Sequence, residues 1–206
     1  MIPVFDLTLW QVVLRVIGGL VAISLFGAAL SWMFRLMGDS GPHYDGRSKP
    51  NPATQISWIA MVGVVLVRFG WAKPLDVDPK KLHGGAIGSV IAVLGAMAVL
   101  VLLGNLALWA SAYAVTLFPP PFGLNIQNIL TTLAPICAAT AVINLIPLPP
   151  FAGGYVLKAV APAVYRRMPP AWIIGAALIA LFYVGRGLGL NGLLQSLASL
   201  LLPGRL

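Results

Sequence analysis

Asn144-Leu145-Ile146-Pro147-Leu148-Pro149-Pro150-Phe151-Ala152-Gly153-Gly154 closes a long apolar run that begins near Gln127. Three prolines within four positions cannot continue a helix, because each lacks an N–H and clashes with the preceding turn. Two readings fit the stretch. It is a helix C-terminus followed by a Pro/Gly stop signal, or it is broken backbone at membrane depth. Such backbone persists only where protein buries it or a cavity accepts it. On the second reading, Asn144 to Gly154 faces the interior of a helical bundle.

The rest of the chain supports a membrane setting. Of the 206 residues, 59% are hydrophobic and 9% charged, and the mean hydropathy is +0.93. That composition is far from a soluble domain and predicts a polytopic membrane protein in one domain, 1–206. The formal charge of +8 does not imply nucleic acid, because the basic residues are spread between apolar spans, as in cytoplasmic loops. The N-terminal apolar run is too long for a signal peptide and is expected to stay attached. Cys137 is alone, so no disulfide or thiolate metal site can be built. No glutamate occurs anywhere. The acids are Asp6, Asp39, Asp45, Asp76 and Asp78, all in polar or turn-rich stretches.

Spans are predicted over about Leu9 to Phe34, Ala86 to Leu117 and Gln127 to Pro147, each long enough for a hydrocarbon core of about 30 Å. Trp10 and Trp32 mark the ends of the first, where Arg15 is expected to snorkel towards the interface. Ile56 to Val67 is too short to cross and is basic on both flanks, so it reads as re-entrant. Trp71 to Val77 reads as extended. Residues 171–202 form a last apolar region interrupted at Gly185 to Gly189, either a hairpin or a span with an interfacial helix. The basic loops place the N-terminus outside and the proline stretch near the cytoplasmic face. Asn105 is expected to bond across to a neighbouring helix.

The proline stretch resembles the Asn-Leu-x-Pro-x-Pro-Pro-Leu-Asp-Gly-Gly signature of the site-2 proteases, a family of intramembrane zinc metalloproteases. Phe69-Gly70-Trp71-Ala72-Lys73-Pro74-Leu75-Asp76-Val77-Asp78-Pro79 is similar to a second segment found in a bacterial branch of it. Gly38-Asp39, Gly46-Arg47 and Asn51-Pro52 stand at matching spacings, and the resemblance covers about 20–160. It implies an all-α bundle of about four to six membrane segments with a short re-entrant or extended hairpin, in a bacterial inner membrane.

The chemistry implied by the family is absent from the matching positions. A zinc protease of this kind needs two His and a Glu in His-Glu-x-x-His, plus an Asp ligand. Those positions fall on Phe26, Gly27, Leu30 and Ala152, none of which carries a ligand or a base. His43 and His83 lie in loops without helical spacing, and Ser24, Ser31 and Ser89 have no histidine within a span. The expectation is a pseudoprotease with no metal and no cofactor. The alternative is an active metalloendopeptidase with an atypical site. What the resemblance leaves is a scaffold for another protein's transmembrane segment, with Gly70, Trp71, Lys73, Pro74, Asn144, Pro147, Pro149, Gly153 and Gly154 as partner-binding residues. The partner is a membrane protein or transmembrane segment within the bilayer, not nucleic acid, and the chain is a transient binder or a stable subunit.

Overall fold

The computed structural model describes residues 7–185 and 189–202. Among the described residues, three helices are long and apolar enough to cross a membrane: α1 (Leu9–Leu36), α5 (Ala86–Leu117) and α6 (Phe122–Ile143). At 1.5 Å per residue even α6 reaches about 33 Å. Between them lie α2 (Gly41–Tyr44), α3 (Pro52–Gln55) and α4 (Trp58–Val67). After α6 come α7 (Gly153–Val160), α8 (Pro162–Arg166), α9 (Ala171–Val184) and α10 (Leu190–Leu200). The apolar helices α4 and α9 are each too short for a full crossing, at about 15 and 21 Å. Among the described residues, three full-length spans and these two shorter apolar helices stand where four to six membrane segments were anticipated. Residues 171–202 hold two short helices, with 186–188 outside the described residues. Among the described residues no strand forms, and one isolated antiparallel bridge joins Ile56 to Ala72.

Local chemistry sets the boundaries. Thr8 caps α1 reciprocally with Gln11, the arrangement that satisfies two orphan donors at once. The chain leaves α1 through Gly38 at φ 113°, and a Cβ there would press on the Lys81 carbonyl at 2.7 Å. Helix α6 starts five residues before the expected Gln127. It contains Pro135 and ends at Ile143, ahead of the prolines rather than within them.

Small residues bring the three long helices together, as expected where packing rather than water drives association. A Cβ on Gly18 of α1 would meet Ile136 at 2.9 Å, and one on Gly104 of α5 would meet Cys137 at 3.2 Å, both on α6. Asn105 donates to the carbonyl of Leu201, just past α10, at 2.9 Å. Arg15 corrects its expectation. It is 7% exposed and donates to the Val65 carbonyl, so it serves the last turn of α4 instead of reaching for the interface. Carbonyls at a helix C-terminus have no intrahelical donor, and a cation there also suits the helix dipole.

Candidate functional site

The two segments singled out in the sequence meet in the interior. Residues 69–78 form an extended strap, and Asn144 to Gly154 form a compact turn against one end of it. Asn144 is fully buried. Its amide donates to the Gly70 carbonyl at 2.9 Å and to the Thr140 carbonyl at 2.8 Å. Its oxygen accepts from the Ala152 N–H at 3.1 Å, and its own carbonyl accepts from Gly153 at 2.8 Å. One side chain thus joins helix, turn and strap. The glycines allow the turn to close: a Cβ on Gly153 would lie 2.5 Å from the Ile146 carbonyl oxygen, and one on Gly154 would lie 3.0 Å from Leu148.

Side chains hold the strap along its length. The Gly70 N–H donates to Thr140 Oγ1 at 3.2 Å, and Lys73 N–H to the Gln55 carbonyl at 2.6 Å. Arg47 Nη2 donates to the Lys73 carbonyl at 2.6 Å. Leu75 N–H donates to the Tyr155 hydroxyl at 2.6 Å, and Lys158 Nζ to the Val77 carbonyl at 2.7 Å. The far end is fixed by Asp39, a buried carboxylate that accepts from Asp78 N–H at 2.8 Å and Gly41 N–H at 2.9 Å. These bonds replace a neighbouring strand, and they satisfy backbone that is otherwise costly to bury.

The positions at which the resemblance would place zinc ligands and a base are packed. Phe26, Leu30 and Ala152 are 1%, 2% and 2% exposed. A Cβ on Gly27 would overlap Gln55 Oε1, and it would also stand 3.1 Å from the Ala72 Cβ. Gln55 is fully buried and forms the polar centre here. Its Oε1 accepts from Arg47 Nε at 3.3 Å and Nη2 at 3.1 Å. Its Nε2 donates to the Arg47 and Lys49 carbonyls at 2.5 and 3.2 Å. The Arg47 guanidinium is held below its ordinary pKa by burial, against the opposing pull of Tyr155 and Asp45. Burial likewise pushes the Tyr155 phenol up, opposed by the Leu75 N–H. Gln55 gave no signal in the sequence beyond being one amide in a polar stretch, and Asp39 appeared there only as a landmark.

Compared with protein-family models, curated proteins and solved structures, the chain matches none of them.

The remaining predicted residues divide by exposure. Gly70, Pro149, Gly153 and Gly154 are buried with Asn144. Trp71 is 2% exposed, stacked edge-on against Phe151 at 5.3 Å and covered by Gly175 of α9, where a Cβ would approach its ring to 2.5 Å. Lys73, Pro74 and Pro147 face outward. The histidines stay apart from any metal set: among the described residues, no three His, Cys, Asp or Glu side chains gather to hold an ion. Ser31 Oγ is 2.9 Å from Ser48 Oγ, which is 2.9 Å from His43 Nδ1, and Arg35 Nη1 is 3.0 Å from His43 Nε2. That chain ties the loop after α1 back onto α1, with Trp32 Nε1 donating to the Ser48 carbonyl at 3.1 Å.

Proposed function

We propose that this chain is a non-catalytic, site-2-protease-like protein of a bacterial inner membrane, acting as an accessory subunit of a membrane protein complex. In this reading the N-terminus lies outside and the basic loops face the cytoplasm. The observation that carries it is the packing around Gly27: the Gln55 amide, held by Arg47, fills the space that a side chain at this position would need. Phe26, Leu30 and Ala152 bring no ligand atom to it. A buried charged site is expensive to keep incomplete, so loss of all its members together is consistent with a settled apolar and amide core.

The state of the strap favours a permanent subunit over a transient client binder. A segment that awaits a client strand keeps backbone groups ready to pair. Here Thr140, Asn144, Gln55, Arg47, Tyr155, Lys158 and Asp39 already engage them. The partner then docks on the exposed rim, where Lys73, Pro74 and Pro147 stand.

Photo-crosslinking tests this in native membranes, with a crosslinking amino acid at 73 and at 147 in separate variants. One discrete partner band of constant size from both positions is expected. Crosslinks to lipid alone from both would overturn the subunit reading.

A further inference from the structure

The segment that carries the chain from α7 to α9 mixes large apolar residues with cations on its open side. Val160, Val164 and Trp172 are 66%, 51% and 61% exposed. Arg166 and Arg167 stand between them, and both are exposed. Among the described residues neither of these guanidiniums makes a hydrogen bond or an ion pair. Both ends of the segment are tied into the bundle. Upstream, the Tyr155 ring of α7 packs edge-on against Phe34 at 5.1 Å, in the last turn of α1 and two residues beyond Trp32. Downstream, α9 turns inward, where Gly175 makes room for Trp71 and Ile179 lies against Gly63 of α4. Trp172 stands at the mouth of this apolar helix. The segment therefore runs along the boundary where α1 ends.

We infer that residues 160–172 are an interfacial anchor for anionic phospholipid headgroups. Cations interleaved with exposed apolar side chains suit the boundary between headgroups and acyl chains. Val160, Val164 and Trp172 enter the acyl edge, the depth that an amphipathic indole prefers. Arg166 and Arg167 meet the phosphates, whose oxygens a guanidinium fork accepts two at a time. Neighbouring charge adds to the attraction. The 3-10 turn Pro79–Lys81 packs against α7, and Lys80 and Lys81 are exposed on it. The two acids at this end are already engaged. Asp76 lies 3.7 Å from Lys158 Nζ, and Asp78 Oδ1 accepts the Lys80 N–H at 3.0 Å. Residues 79–206 contain no Asp or Glu, so this part of the chain supplies the arginines with no carboxylate side chain. An acidic protein surface would match the charge, but it offers no apolar layer for Trp172 and the two valines. An anionic leaflet offers both. The anchor works for the chain alone, so it does not depend on the subunit reading, and it lies apart from the rim at Lys73, Pro74 and Pro147.

The test uses the full chain in phosphatidylcholine nanodiscs. Cys137 is buried and stays unlabelled, so Val164→Cys provides one reactive thiol for a fluorophore. Brominated phosphatidylglycerol or brominated phosphatidylcholine is then added at the same low mole fraction, and quenching reads which lipid surrounds residue 164. Leu117→Cys, exposed at the other end of α5, carries the control fluorophore. We expect phosphatidylglycerol to be enriched about fivefold over phosphatidylcholine at residue 164, as one well-placed surface cation gives. The enrichment should vanish in Arg166→Gln/Arg167→Gln, and residue 117 should show none. The inference is overturned if residue 164 shows no preference, or if the preference survives loss of both arginines. An equal preference at residue 117 also overturns it, since that outcome means general attraction to a cationic protein. Absence of quenching by either lipid at residue 164 overturns it as well, and leaves the two arginines to an acidic protein surface.

Discussion

Asn144 and Gly70, 74 residues apart, are joined by a buried hydrogen bond of 2.9 Å from the asparagine amide to the glycine carbonyl. The same side chain receives the Ala152 N–H, so the strap and the turn share one anchor.

Asn144→Leu is therefore a stability variant before it is a binding variant. It leaves the Gly70 carbonyl and the Ala152 N–H buried without their partner, a cost of about 2 kcal/mol after partial relaxation. Denaturant titration of the purified protein in mixed micelles should show this loss. Unchanged stability would mean that the anchor is dispensable. A companion variant at exposed Pro147 should leave stability within about 0.5 kcal/mol of the parent.

Gly27→Ala tests the packing around Gln55. The new methyl group overlaps Gln55 Oε1, which two Arg47 nitrogens hold in place. Overpacking of this kind costs about 1–3 kcal/mol. Combining it with Gln55→Ala should recover part of that loss, since the obstructing amide is then gone. An additive double variant would show that Gln55 does not occupy this space.

Tyr155 gives a pH dependence with a definite sign. Burial holds its phenol above the ordinary value of about 10, while the unfolded chain ionises near that value. Its contribution to stability is full below about pH 10 and declines as pH rises beyond it, because only the unfolded state readily loses the proton. Tyr155→Phe takes the acceptor from Leu75 N–H and should cost about 1 kcal/mol at pH 7. The gap between parent and variant should narrow above pH 10, seen as converging melting curves. A constant gap up to pH 11 would contradict the assignment.

Topology is checked with two reporter fusions. One after Arg167 and one within 119–123 should report opposite sides of the membrane, because the 22-residue α6 lies between them. The same side for both would remove α6 as a span.

Much of the architecture is legible in the sequence. Long apolar runs announce α1, α5 and α6, since length against bilayer thickness is a strong constraint. The short run before Arg68 was recognisable as falling short of a crossing for the same reason. The ends were less legible: α6 begins at Phe122, because a proline-rich turn can start a helix as well as stop one. Arg15 looked like an interfacial charge because its acceptor, the Val65 carbonyl, lies 50 residues away. The strap and the turn were both visible as motifs. Their mutual burial was not, because it depends on Thr140, Gln55, Asp39 and Tyr155, ordinary residues whose importance is set only by three-dimensional neighbours. Gly175 over Trp71 is a similar case: a single helical glycine carries no sign of the indole it makes room for.

Zinc content of the purified protein, measured by plasma mass spectrometry against protein concentration, most directly tests the proposal that Phe26, Gly27, Leu30 and Ala152 stand in place of a metalloprotease site. The preparation should be made without chelators and without a histidine tag, then dialysed to remove loose metal. The expected result is zinc well below one per chain, unchanged when zinc is added before dialysis. One tightly held zinc per chain would contradict the pseudoprotease reading.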